Sequence, residues 1–184
     1  MFNKSIGQGE SKVTPIQVLQ MGNIIANDGF LVKPHINKNL NIDKKNIELK
    51  KSTLTFIQNA MKEAVDTGTA KKSRIDDVLI RAKTGTAQLG RYKDMNNNGK
   101  GSEEDQYWLD KNKNGKVDDK EMVGEPEYKN AWYAGYMEYG KNKVSLVVIL
   151  EQSADPEQSG GLWASEMAKK IFEKYIMLEE LRNE

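Results

Sequence analysis

The sequence predicts an α+β fold, with helices packed on an antiparallel sheet. Two observations carry this. Apolar residues recur at helical spacing near both ends of the chain, and a strand–turn–strand pattern lies between them. A third observation is a polar block, residues 91–130, which holds 18 charged and 9 hydrophobic residues while the chain as a whole is 38% hydrophobic. That contrast divides the chain into 1–90 and 131–184, one ordinary globular region, and 91–130, an insertion.

The first helix is expected from about Thr14 to Asn27. Thr14 is an N-cap, Pro15 takes the first helical position and Gln17 completes a capping box. Ile16, Val18, Leu19, Met21, Ile24 and Ile25 supply its apolar side, and Asn27-Asp28-Gly29 stops it. A second helix is expected from Ser52 to Asp66, on Leu54, Ile57, Met61, Ala64 and Val65, with Gly68 just past its end. Between them, Asn37 to Lys50 is rich in Asn and Lys and reads as surface loop. Val78 to Ala82 then reads as a strand ending at Lys83-Thr84-Gly85-Thr86. After the polar block, Ala131–Tyr139 and Lys143–Glu151 read as a hairpin turning at Gly140-Lys141-Asn142. Leu162 to Leu181 is amphipathic and closes the chain as a helix.

Composition excludes several functions. The chain has 184 residues and a net charge of +1, so no overall basic character argues for nucleic acid. It has no cysteine and only His35, which rules out disulfides, a cysteine nucleophile and a multi-histidine metal site. No apolar run is long enough to span a membrane, and no targeting signal stands at Met1.

Lys83-Thr84-Gly85-Thr86 is the segment that offers chemistry. A lysine gives a fixed cation, two threonines give hydroxyls, and a glycine lets a ligand approach the backbone. Together they suit a substrate carboxylate. On an edge strand, free backbone groups could also pair with an extended peptide. His35 and the aromatics Trp132, Tyr133 and Tyr136 read as filler and packing, and Trp163 as an anchor for the last helix.

The segment stands in an ordered series: Ser5-Ile6-Gly7-Gln8, Thr14-Pro15-Ile16-Gln17, Asn27-Asp28-Gly29, Gly68-Thr69-Ala70, Lys83-Thr84-Gly85-Thr86-Ala87-Gln88 and Ala131-Trp132-Tyr133-Ala134-Gly135-Tyr136. This series resembles the penicillin-binding proteins, in particular class B D,D-transpeptidases, over almost the whole chain outside the polar block. The resemblance implies part of the penicillin-binding transpeptidase (β-lactamase-like) fold. It also implies an enzyme that cross-links peptidoglycan stem peptides through an acyl-serine and is trapped by β-lactams. Lys83 would neutralise the substrate carboxylate and support proton transfer. Thr84 and Thr86 would hydrogen-bond that carboxylate, and the Thr86 N–H would donate to the oxyanion. Gln88 would flank the peptide groove. A family enzyme works at the outer face of the cytoplasmic membrane, in the cell envelope.

The other family motifs, S-x-x-K and S-x-N, are missing. No serine here is followed three places later by lysine, and Tyr128-Lys129-Asn130, a Y-x-N string, follows K-T-G instead of preceding it. The expectation is therefore the K-T-G-bearing half of a transpeptidase domain, inactive alone, whose partner is the upstream half with the nucleophile. That half would also cover the strand Lys143–Glu151, which is otherwise left with an open edge.

The polar block has its own pattern. Asp110, Asn112, Asn114, Lys116, Asp118 and Glu121 fill the ligand positions of a twelve-residue calcium loop, with Gly115 at its turn and Lys116 giving its carbonyl. A weaker copy starts at Asp94, with Asn96, Asn98 and, at its last position, Asp105. Their spacing suggests a compact EF-hand or dockerin-like pair holding structural Ca2+. The alternatives are a non-catalytic, calcium-dependent binding module of the envelope, and a β-lactam sensor or β-lactamase relative.

Overall fold

The computed structural model describes residues 13–89, 91–93, 106–108, 114, 122–123, 128–153 and 160–183. Helix α1 spans Pro15–Ala26. The Thr14 hydroxyl accepts from the Gln17 N–H at 3.4 Å, and the Thr14 N–H donates to the Gln17 side chain at 2.9 Å, so the capping box forms. The helix stops where expected: Asp28 and Gly29 take φ of 53° and 95°, and the Gly29 N–H reaches back to the Ile24 carbonyl at 2.8 Å.

Strand β1 (Phe30–Val32) then pairs antiparallel with β2 (Lys44–Asn46). Strand β2 falls in the Asn37–Lys50 stretch expected as loop, and β1 in a stretch given no element. Alternation is too short to see in three residues, and the pairing is local, closed by Lys33 N–H to the Asp43 carbonyl at 3.2 Å. Helix α2 (Lys51–Asp66) follows, then a single tight turn at Lys71–Ser73.

Strand β3 (Leu79–Leu89) is longer than expected and runs straight through Lys83-Thr84-Gly85-Thr86. The segment is mid-strand, which corrects the strand-end reading. Its register to β7 (Tyr128–Tyr139) is continuous, from Leu79 opposite Glu138 to Leu89 opposite Tyr128. Gly85 does not break the pairing. A Cβ there would stand 3.8 Å from that of Trp132, so the residue costs only its missing side chain.

Strand β7 turns at Gly140 (φ 57°) into β8 (Asn142–Ser153). The main sheet has the order β3-β7-β8, so β3 and β8 are its two outer strands among the described residues. Helix α3 (Ser165–Asn183), entered through a wide helical turn at Gly160–Ala164, ends the described chain.

Strand parity sorts the sheet into two faces. Ile80, Ala82, Thr84, Ala131, Tyr133, Met137 and Val148 lie on one face. Most of them share a core with Val65 and Ala70 and with Ala164, Ala168 and Phe172 of the last helix and its entry turn. On the other face, Tyr136 packs with Ala26, Met61, Ile25 and Ile57 of α1 and α2. Tyr133 and Tyr136, expected as packing, are 0% and 1% exposed, whereas Trp163 is 46% exposed and anchors the last helix weakly.

The polar block contributes three short strands, β4 (Arg91–Lys93), β5 (Gln106–Trp108) and β6 (Met122–Val123), in one antiparallel sheet of order β4-β5-β6. Strands, not helices, therefore border the two loop patterns. Among the described residues the block forms a β-meander, and nothing in them supports the compact dockerin-like pair expected. Of the expected ligands, Asn114 is described, exposed at a bend. Asp94, Asn96, Asn98, Asp105, Asp110, Asn112, Lys116, Asp118 and Glu121 lie outside the described residues.

Candidate active site

Among the described residues the Lys83–Thr86 segment lies on the outer edge of the main sheet, because β7 occupies only one side of β3. Strand alternation turns Lys83 and Gly85 to one face and Thr84 and Thr86 to the other. Lys83 is exposed, and its ammonium donates to the carbonyl of Thr84. The cation is thereby held along the strand. Thr86 and Gly85 are also exposed. Gln88 stands three positions past Gly85 on the same strand.

Thr84 is different. It is 7% exposed, sits opposite Tyr133 and shares a hydrogen bond with Thr69, oxygen to oxygen, at 2.6 Å. Thr69 belongs to the Gly68-Thr69-Ala70 turn, which the end of α2 fixes. The Gly68 N–H donates to the Glu63 carbonyl at 3.1 Å and the Ala70 N–H to the Ala64 carbonyl at 2.8 Å. Gly68 presses so closely on α2 that a Cβ there would lie 2.8 Å from the Ala64 Cα. A rigid helix end thus holds a hydroxyl against the threonine of the expected site. The sequence placed this turn in its ordered series but gave Thr69 no role. A turn threonine and a strand threonine fifteen positions apart reveal their contact only in three dimensions.

Behind Thr84 lies a buried polar layer. Ser73, Ser165 and Tyr133 are each 0% exposed. Burial pushes the Tyr133 phenol well above its ordinary pKa of 10.0, and nearby Ser73 offsets part of that rise. The Ser73 hydroxyl nonetheless donates to the Ala70 carbonyl at 2.8 Å. The Tyr133 Oη has no well-formed hydrogen bond among the described residues.

On the opposite face, beside Lys83, Arg81 pairs with Glu138 at 2.5 Å, and its guanidinium lies 5.7 Å from the centre of the Tyr136 ring. Burial raises the Tyr136 phenol above its ordinary value, while the Arg81 charge lowers it. This pair clamps β3 to β7 two residues before Lys83.

Buried hydroxyls, a cation on the strand and a helix-braced threonine turn thus meet along one stretch of β3. The family model for the penicillin-binding protein transpeptidase domain matches residues 2–173 of this chain. The chain belongs to the penicillin-binding protein transpeptidase family.

Relatives agree with this assignment. Penicillin-binding protein H of Bacillus subtilis (strain 168) is 26% identical over 197 residues, covering 98% of this chain and 23% of that protein. Among solved structures, a putative peptidoglycan glycosyltransferase from Atopobium parvulum DSM 20469 superposes with a TM-score of 0.60 at 18% identity, over 88% of this chain and 32% of that one. The transpeptidase domain of Burkholderia pseudomallei penicillin-binding protein 3 gives 0.59 at 16% identity, over 90% and 42%. These structural likenesses show the α+β transpeptidase fold. The chain spans less than half the length of each of these relatives. Among the described residues no helix is long and apolar enough to cross a membrane.

Proposed function

We propose that this chain is the K-T-G-bearing part of a peptidoglycan D,D-transpeptidase. The observation that carries the reading is the placement of Lys83-Thr84-Gly85-Thr86 on the open edge of the sheet in a member of the transpeptidase family. In this reading a peptidoglycan stem peptide, or a β-lactam, lies along β3. Lys83 neutralises its terminal carboxylate and Thr86 donates to it, and the buried Thr84 hydroxyl joins them by giving up its bond to Thr69. The Thr86 N–H stabilises the oxyanion, and Gln88 borders the groove. A serine attacks the peptide carbonyl, the terminal D-alanine leaves, and a second peptide's amine releases the acyl group. This chain has no S-x-x-K, so that serine and the S-x-N motif come from a separate or preceding segment, and the chain alone is inactive. Its site of action is the cell envelope, outside the cytoplasmic membrane.

Fluorescent penicillin tests this. The chain alone stays unlabelled, and it acquires label-dependent protection of its fold when the segment carrying S-x-x-K and S-x-N is supplied and acylated. Covalent labelling of this chain by itself would overturn the assignment of the nucleophile. Failure of any combination to react would overturn the transpeptidase reading.

The polar block supports a second, structural proposal. Its two calcium-loop patterns fall in the two connections of the β4-β5-β6 meander, so each loop starts and ends on paired strands. The donor set is all oxygen, as Ca2+ requires. Asp110, Asn112, Asn114, Asp118, Glu121 and the Lys116 carbonyl would hold one ion, and Asp94, Asn96, Asn98 and Asp105 a weaker one. The bound ion would brace an insertion beside the K-T-G strand. Calorimetry at millimolar calcium should show binding heat that Glu121→Ala removes; no heat sinks the proposal. The non-catalytic binding module remains as the reading to adopt if calcium binds and penicillin never does.

A further inference from the structure

The charge of this chain is unevenly placed. Residues 33–51, the β1–β2 hairpin and its exit, carry Lys33, Lys38, Lys44, Lys45, Lys50 and Lys51 against Asp43 and Glu48. They hold an excess of positive charge in a chain whose net charge is +1, so the remainder is net acidic. Every residue from 33 to 46 is exposed, and no carboxylate among the described residues pairs with any of these six lysines.

The same hairpin displays apolar side chains to water. Ile36 is 103% exposed, Ile42 62% and Leu40 55%. The loop that carries them has its own order. The Asn39 N–H donates to the Asn37 side chain at 3.0 Å and the Leu40 N–H to the Asn37 carbonyl at 3.3 Å. Single exposed apolar residues are ordinary, but three on one exposed loop, among six lysines without a carboxylate partner in the described residues, are not.

We infer that this hairpin docks onto an anionic phospholipid surface. Apolar side chains at its tip enter the headgroup boundary while the lysines meet lipid phosphates. The arrangement favours this occupant over two others. A soluble polyanion would engage the lysines and leave Ile36, Leu40 and Ile42 in water. A protein groove would want a continuous apolar ridge, whereas Asn37, Asn39 and Asn41 interrupt this one. The inference does not depend on the transpeptidase reading.

Vesicle flotation with the 184-residue chain tests it, because self-associated protein sinks while vesicle-bound protein rises. The chain should float with vesicles of mixed phosphatidylglycerol and phosphatidylcholine and not with pure phosphatidylcholine. Binding should fall steeply between roughly 50 and 300 mM salt. The triple variant Ile36→Asp, Leu40→Asp, Ile42→Asp and the double variant Lys44→Glu, Lys45→Glu should each lower the bound fraction by about tenfold or more. All five positions are exposed, so circular dichroism and melting should stay as in the parent and exclude misfolding. No flotation with anionic vesicles, equal flotation with both compositions, or full binding by either variant overturns the inference. Tight binding of soluble polyphosphate by the parent and the aspartate variant alike, without flotation, would make the hairpin a polyanion site instead.

Discussion

Thr69 and Thr84 share one hydrogen bond in a half-buried setting, and removing either hydroxyl leaves the other unpaired. Thr69→Val should cost about 1–3 kcal/mol in urea unfolding, and Thr69→Ser should restore most of it. An unchanged midpoint for the valine variant would show that the bond carries no weight. Tyr133 presents the reverse case. Its Oη is buried without a well-formed bond among the described residues, so Tyr133→Phe should leave stability unchanged or raise it by up to about 1 kcal/mol. The pH dependence follows the same group. The unfolded phenol titrates at its ordinary 10.0, while burial raises the folded one. Above pH 10 the unfolded chain has released a proton that the folded chain still holds, so stability is full below pH 10 and falls as pH rises beyond it. Tyr136 acts in the same direction. Absorbance of phenolate near the alkaline unfolding transition should rise with unfolding and not before it, and Tyr133→Phe should make the transition less steep in pH.

At the scale of elements, the helices were legible and the strands only in part. Thr14, Pro15 and Gln17 announce α1 by local chemistry, and the folded chain forms the same capping box. Thr14→Ala should therefore cost about 1 kcal/mol, read from thermal unfolding; no loss would mean that packing alone fixes the helix start. The reach of β3 was not legible, because Lys83-Thr84-Gly85-Thr86 has little apolar alternation of its own. Pairing with β7 carries the strand through it. Gly135 is the tightest point of that pairing. A Cβ there would stand 2.7 Å from the Ala82 Cβ and 2.8 Å from the Arg81 carbonyl. Both neighbours are backbone or backbone-fixed, so Gly135→Ala should destabilise by about 1–3 kcal/mol or more, and melting unchanged within error would contradict the geometry. The hairpin strands β1 and β2 escaped the sequence reading because three-residue strands leave no period to detect.

At the scale of the molecule, the sheet is covered by helices on both faces yet, among the described residues, ends in two outer strands, β3 and β8. The β3 edge carries the candidate site. The β8 edge belongs to a long, largely apolar strand, and such edges recruit further strands. The chain by itself should therefore self-associate in sedimentation velocity, and Val147→Lys or Ile149→Lys should reduce that association. A monodisperse, stable monomer would count against an open edge. Family membership was legible at this scale from the order of six short motifs. Which residues touch was not, because order along a chain says nothing of distance.

The register between β3 and β7 decides more than pairing. Side chains on a strand alternate with a period of two, so a slip of one residue would drive the Lys83 ammonium into the layer now holding Tyr133 and push Thr84 into water. A length change inside Leu79–Leu89 therefore inverts the site. The excursion of residues 90–127 leaves and rejoins the sheet where Leu89 already faces Tyr128, and the one irregularity of the neighbouring β7–β8 ladder falls beside it, between Lys129 and Ala131. Closing about forty residues there instead of a tight turn costs only about 2 kcal/mol in chain entropy. The sheet can thus host a large, strongly charged appendage at its margin while the phase of the strand bearing Lys83 stays locked.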